Sequence, residues 1–177
     1  MRAAIYLFVS CVFMYVTGFS KAAELKVGDE APAFSLKGSD GKMYSLEAFK
    51  GKKAIVIAWF PKAFTRGCTK ECVSLRDHSK ALRKFQVAYF MASVDEIQKS
   101  EEFATSYGLD FPVLSDPDQS VAKKYGVLRT KGNIANRWTF YIGKDGKILH
   151  IDKEVKPSRH GRDVAKKLAE LGVPRKK

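Results

Sequence analysis

Cysteine is scarce in this 177-residue chain, with only Cys11, Cys68 and Cys72. So few cannot hold a multi-bridge scaffold, and the fold must rest on an apolar core. No Cys-x-x-Cys occurs, which excludes the dithiol motif of thiol–disulfide oxidoreductases. Glycine-rich phosphate-loop spacing is absent, as is a carboxylate pair set for acid–base work. There is no internal repeat, low-complexity tract or interdomain linker. Acid is in short supply, with 19 Asp and Glu against 32 Lys and Arg, for a formal net charge of +13. That excess would suit an anionic partner. However, the bases are spread along the chain, and only Pro174-Arg175-Lys176-Lys177 clusters. With no nucleic-acid motif, the charge reads as a basic solvated surface and no nucleic-acid partner is expected.

What is present fits one globular domain and a short extension. Hydrophobic content of 45% and aromatic content of 12% supply a core and argue against disorder. The extension is residues 1–22: a positive Met1-Arg2 start, an uncharged apolar run from Ala3 to Val16, and small residues at Ser20 and Ala22. This pattern predicts a secretory signal peptide cleaved after Ala22, leaving 23–177 as an exported, periplasmic or secreted domain. An uncleaved signal would instead anchor the protein to a membrane, since the apolar stretch approaches the ~20 residues a span needs. Cys11 reads as part of this apolar segment. Arg2 and Lys21 account for two of the formal charges, leaving +11 on the domain. That domain keeps Cys68 and Cys72 and enters a compartment where disulfides persist.

Along the domain, Phe34 to Leu46 alternates around Asp40-Gly41 and predicts a hairpin. Leu46 to Phe49 predicts one helical turn. Ala54 to Phe60 is an unbroken apolar run, expected as a buried strand, and Val87 to Val94 is a second. Between them, Cys72, Leu75, Leu82 and Phe85 recur at helical spacing, which predicts a helix from about Thr69 to Phe85. Asp95 is expected to cap a helix from Glu96 to Tyr107. A short strand is expected at Phe111 to Leu114, followed by a helix capped by Asp116 or Asp118 and ending at Tyr125. Trp138 to Ile142 and Lys147 to Ile151 predict a hairpin, and Arg162 to Leu171 a last helix. This order implies an α/β fold with a central mixed sheet flanked by helices.

Cys68 falls where the first buried strand gives way to a helix. Amide groups at a helix start are unpaired and the helix dipole favours an anion there, so a thiol at that place is drawn toward thiolate, its reactive form. Thr65 offers a hydroxyl one turn earlier, Gly67 permits close backbone approach, and Pro61 stiffens the entry. Together these argue against an inert structural cysteine.

Pro61-Lys-Ala-Phe-Thr65-Arg-Gly-Cys68 resembles the Pro-x-x-x-Thr-x-x-Cys motif of peroxiredoxins. The chain is most similar to the bacterioferritin-comigratory, or Q-type, branch of the AhpC/TSA group. The likeness runs from Val27-Gly-Asp-Glu-Ala-Pro-Ala-Phe-Ser-Leu36, through Phe111 to Val127, to Arg137 to Ile148, and so covers nearly the whole domain. It implies a thioredoxin-like fold and a thiol-dependent peroxidase acting on hydrogen peroxide and organic hydroperoxides without a cofactor or metal. By resemblance, Cys68 is the peroxidatic cysteine, Thr65 the hydroxyl that orients the peroxide, Pro61 the shield against water, and Arg137 the active-site arginine. An arginine suits that place because it stays charged and stabilises charge as the O–O bond breaks. Cys68 would become a sulfenic acid, a second thiol would condense with it, and a thioredoxin-like or other dithiol would reduce the product. A monomer or weak dimer is expected. The branch's helical resolving cysteine sits one residue further on, where this chain has Val73. Cys72 as resolving partner and a one-cysteine mechanism therefore both stay open.

His78, His150 and His160 read as ordinary, partly exposed polar residues. An alternative of another class is an exported thioredoxin-fold copper chaperone holding Cu(I) on Cys68 and Cys72, whose Cys-x-x-x-Cys spacing fits. Such carriers need a histidine before the late strand, where this chain reads Ile134-Ala-Asn-Arg137.

Overall fold

The computed structural model describes residues 24–176, so the expected signal peptide, with Cys11, lies outside the described residues. At the centre is β3 (Ala54–Trp59), all six of whose residues are buried. Successive strand side chains point to opposite faces. Ala54, Val56 and Ala58 therefore enter one core, and Ile55, Ile57 and Trp59 the other. A strand covered on both faces loses the polar alternation of a half-exposed one, which is why this run is continuously apolar.

Around β3 the described residues form a seven-stranded sheet. It contains β1 (Ser35–Gly38), β2 (Met43–Ser45), β4 (Val87–Ser93), β5 (Val113–Ser115), β6 (Thr139–Ile142) and β7 (Ile148–Asp152). The order is β2-β1-β5-β4-β3-β6-β7, with β3, β4 and β5 parallel and the outer pairings antiparallel. One core lies under α2 (Arg66–Asp77), α3 (Ser79–Leu82), α4 (Ile97–Ser106) and α6 (His160–Glu170), with Leu75, Leu82, Phe103, Val164 and Leu168 inside it. The other lies under α1 (Leu46–Phe49) and α5 (Ser120–Lys124), with Leu46, Val121, Ala122 and Tyr125. Each fully buried Leu, Val or Phe side chain contributes about 1.5–3 kcal/mol. This is the mixed, helix-flanked sheet with an N-terminal hairpin expected from the sequence.

Several boundaries differ from expectation. The helix expected from Thr69 begins at Arg66, so Cys68 lies inside its first turn rather than ahead of it. It also ends at Asp77 instead of continuing to Phe85. His78 Nδ1 lies 2.9 Å from the Ser74 carbonyl, the acceptor a continuing helix would need, and the His78 amide turns to Leu75 instead. Asp95 is not a helix cap, since Glu96 holds that place at α4. Its carboxylate is engaged by the Ala63 amide at 2.7 Å and by Lys99 and Ser93. Asp116 and Asp118 both serve the start of α5, accepting from Val121 and Ala122 and from Ser120 respectively. The last helix starts at His160, two residues early, after a 3-10 turn over Pro157–Arg159.

α6 approaches α2 closely because Gly161 has no side chain. A β-carbon there would lie 2.1 Å from the Ser74 carbonyl oxygen. The Gly161 amide donates to Ser74 Oγ at 3.1 Å. This contact carries His160 against the middle of α2.

Candidate active site

The carboxyl end of β3 runs into the loop Pro61–Thr65. Asp95 fixes the loop through the Ala63 amide. Phe64 next to it has φ of +65°, a left-handed conformation costly for a bulky residue. Its ring stays partly exposed but packs edge-on against buried Phe103 at 5.1 Å, with Tyr107 at 6.2 Å. Thr65 is extended and opens α2 by accepting the Thr69 amide at 2.9 Å. Its hydroxyl does not cap the helix. It donates to the Lys62 carbonyl at 3.0 Å, which leaves its lone pairs to accept a proton from a bound hydroxyl.

Cys68 is the third residue of α2, in the turn whose amides have no partner within the helix. Its side chain is only 1% exposed, so the thiol meets small reactants rather than a broad surface. Arg137 reaches it from the segment before β6. The antiparallel register pairing Ala58 with Thr139 carries Arg137 beyond the end of β3, and the Trp59 amide bonded to the Trp138 carbonyl at 2.8 Å pins it there. Arg137 Nη2 donates to Cys68 Sγ at 3.3 Å. Gly67 makes the room, since a β-carbon there would lie 3.3 Å from that same nitrogen.

The other arm of the guanidinium, Nη1, donates to Glu71 Oε2 in an ion pair. Glu71 is fully buried, and a buried carboxylate is costly unless paired and hydrogen-bonded. Its other oxygen, Oε1, lies 3.1 Å from His160 Nδ1. That is hydrogen-bond distance, but the approach is oblique, and neither atom has a better partner among the described residues. His160 Nε2 lies 3.0 Å from Thr139 Oγ1. Burial pulls the His160 pKa down to about 4, against the opposing pull of Asp152 and with help from the Arg137 charge, so the imidazole is neutral near pH 7.

The structure thus brings Cys68 and Arg137 into contact and places Thr65 and half-buried Pro61 on the adjoining loop. Cys72 lies one helical turn deeper, fully buried, its thiol held well above its usual pKa by burial and by its proximity to Cys68. Both cysteines are free. Sequence reasoning missed Glu71 and His160. Glu71 carried a signal: three residues beyond Cys68, it shares the face that Cys72 marks as buried, where a carboxylate demands a partner. The ordinary reading of His160 is corrected here, because it is 1% exposed and packed against Glu71. Eighty-nine positions of chain separate the two residues, and only the α6–α2 contact joins them. His78 and His150 have local roles, His78 bonding Ser74 and His150 packing at a tilt against Tyr141 with ring centroids 5.6 Å apart. The copper alternative finds no support, and the Cys68 sulfur is already engaged by the Arg137 guanidinium.

The chain matches the AhpC/TSA family over residues 27–151. It is 38% identical over 142 residues to peroxiredoxin Bcp of Escherichia coli K12, covering 77% of this chain and 90% of that protein. The crystal structure of peroxidoxin BcpB from Mycobacterium tuberculosis is similar with a TM-score of 0.74 at 31% identity, over 84% of this chain and 97% of that one. The bacterioferritin comigratory protein of Xanthomonas campestris, whose structures address alkyl peroxide reduction, has a TM-score of 0.71 at 25% identity over 78% of this chain and 92% of that one.

Proposed function

Because the chain belongs to the AhpC/TSA family and is a peroxiredoxin, a thiol-dependent peroxidase, we propose that Cys68 is the thiol that meets the peroxide. The observation that carries this is Arg137 Nη2 at 3.3 Å from Cys68 Sγ, at the first turn of a helix. A cation and free amides at this place receive charge as it moves onto oxygen. The thiolate attacks one peroxide oxygen. An S–O bond forms, the O–O bond breaks, and the leaving oxygen takes a proton to depart as water or an alcohol. Thr65, its own proton committed to Lys62, accepts from the peroxide hydroxyl and orients it. Hydrogen peroxide and organic hydroperoxides both fit this chemistry. The test is stopped-flow peroxide decay with Cys68→Ser, in which turnover should vanish. Retained turnover would refute the assignment.

Cys72 is the proposed resolving thiol. It condenses with the Cys68 sulfenic acid, forming a disulfide and releasing water, and an external dithiol then reduces the pair by exchange. In the intact helix this cannot occur. Side chains four apart have β-carbons about 5–6 Å from each other, whereas a disulfide needs about 3.5–4.5 Å. Burial also keeps Cys72 protonated and unreactive. Unwinding the first turns of α2 removes both obstacles. We further propose that the protein is exported and begins at Ala23, on the support of the apolar run and the Ser20-Lys21-Ala22 site. N-terminal sequencing of the native protein decides that point, with an intact Met1 counting against it.

A further inference from the structure

We propose that His160 is a positioning residue for the active-site guanidinium and acts through Glu71. The inference rests on the reading that Cys68 attacks peroxide beside Arg137. It concerns what holds Arg137 in place.

Glu71 has no access to water, so both oxygens must find partners within the protein. Oε2 takes the Arg137 Nη1 proton. Oε1 faces His160 Nδ1 at 3.1 Å, an approach too oblique for a full hydrogen bond, and neither atom has another partner among the described residues.

A neutral imidazole carries one proton. If Nε2 held it, the Nδ1 lone pair would point at a carboxylate oxygen in a site closed to bulk solvent, where like electron pairs repel strongly. With the proton on Nδ1, the ring donates to Oε1, and Nε2 accepts from the Thr139 hydroxyl at 3.0 Å. Thr139 serves either arrangement, because a hydroxyl both donates and accepts. The carboxylate therefore selects the Nδ1–H tautomer.

The ring is also held in place. His160 opens α6, and Gly161 beside it packs directly onto Ser74 of α2. Withdrawing the ring would require the two helices to part. Bonded to Arg137 through Oε2 and faced by the His160 ring at Oε1, Glu71 is confined to one orientation, and Arg137 keeps its Nη2 on the Cys68 sulfur. A displacement of about 1 Å at a reacting group costs on the order of 100-fold in rate, so a loosened carboxylate joined to the sulfur through Arg137 matters.

Two measurements on the full-length protein test this. The first is nitrogen-15 NMR of the histidine side chains near pH 7. His160 should show a protonated Nδ1 and a bare Nε2, and the reverse tautomer would overturn the proposal. The second is the second-order rate of Cys68 oxidation by hydrogen peroxide in two variants. His160→Leu fills the space without a donor and should slow the reaction about tenfold or more. His160→Asn puts an amide nitrogen where Nδ1 stood and should stay within about threefold of the wild type. Equal losses in both variants, or none in His160→Leu, would overturn the positioning role. If wild-type Cys68 is not oxidised at all, the failure lies with the peroxidatic assignment, and the tautomer still judges the Glu71 contact.

Discussion

Arg137 and Cys68 lie 69 residues apart in the chain and meet at 3.3 Å, Nη2 to Sγ. The contact joins the start of α2 to the segment before β6, the strand antiparallel to β3. The same guanidinium is tied on its other arm to buried Glu71, so its direction is fixed before any peroxide arrives. A preorganised cation needs no rearrangement as charge develops, which is why such groups accelerate reactions.

Replacing Arg137 with Met removes that charge while keeping an apolar stem. Peroxide consumption should slow by on the order of 100-fold, measured by stopped-flow under single-turnover conditions. An unchanged rate would remove Arg137 from the mechanism.

Gly67→Ala separates activity from stability. Alanine is favoured over glycine in a helix by up to about 1 kcal/mol, so urea unfolding should show equal or higher stability. The new β-carbon would lie 3.3 Å from Arg137 Nη2 and shift it by a few tenths of an ångström relative to the sulfur. Peroxide oxidation of Cys68 should fall about tenfold. A stable variant with full activity would show that the guanidinium tolerates displacement.

His160 gives stability a pH dependence. Burial holds its pKa down at about 4, against 6.5 for the ordinary group. The unfolded chain therefore takes up a proton that the folded chain resists. Stability should be full above about pH 6.5, fall as pH drops, and level off below about 4, a loss of about 3 kcal/mol from this group. Asp116, pushed up to about 6 by burial, acts oppositely, stabilising at low pH and losing that contribution as pH rises through 6. Comparison with His160→Asn cancels the Asp116 contribution. Urea midpoints from pH 4 to 7 should show the wild type losing ground to the variant on acidification, whereas parallel curves would contradict the account.

The fold was readable because its signals are local. The apolar run at Ala54 and the Asp40-Gly41 turn each specify an element from a few adjacent residues. The nearness of Pro61, Thr65 and Cys68 was legible for the same reason, since they share one short motif, and their roles rest on the proposed function. Arg137 was singled out by the family resemblance at the start of a late strand, and the structure places it against Cys68. The Glu71–His160 contact was not readable, because it depends on how closely Gly161 lets α6 approach α2. The break at His78 and the displacement of Asp95 from its expected cap have a similar origin. In each case a side chain found a better partner than the local pattern offered, Ser74 for one and Ala63 for the other.

Oxidation should unwind the start of α2. Amides from Thr69 to Val73 are expected to be protected from hydrogen exchange in the dithiol form and to exchange quickly in the disulfide form. Glu71 lies in this stretch, so unwinding also withdraws it from Arg137 and His160. In Cys72→Ser the Cys68 sulfenic acid should persist and proceed to sulfinic acid. Unchanged protection of these amides in an oxidised protein would argue against the bond.

The central claim is that Cys68 takes the oxygen and Cys72 completes a disulfide with it. Intact-mass analysis of the reduced protein after one equivalent of peroxide, followed by peptide mapping, tests it most directly. The account predicts loss of two hydrogens and a single peptide cross-linked between Cys68 and Cys72. A gain of oxygen on Cys68 with no cross-link would make Cys72 a bystander, and an unmodified Cys68 would contradict the claim itself.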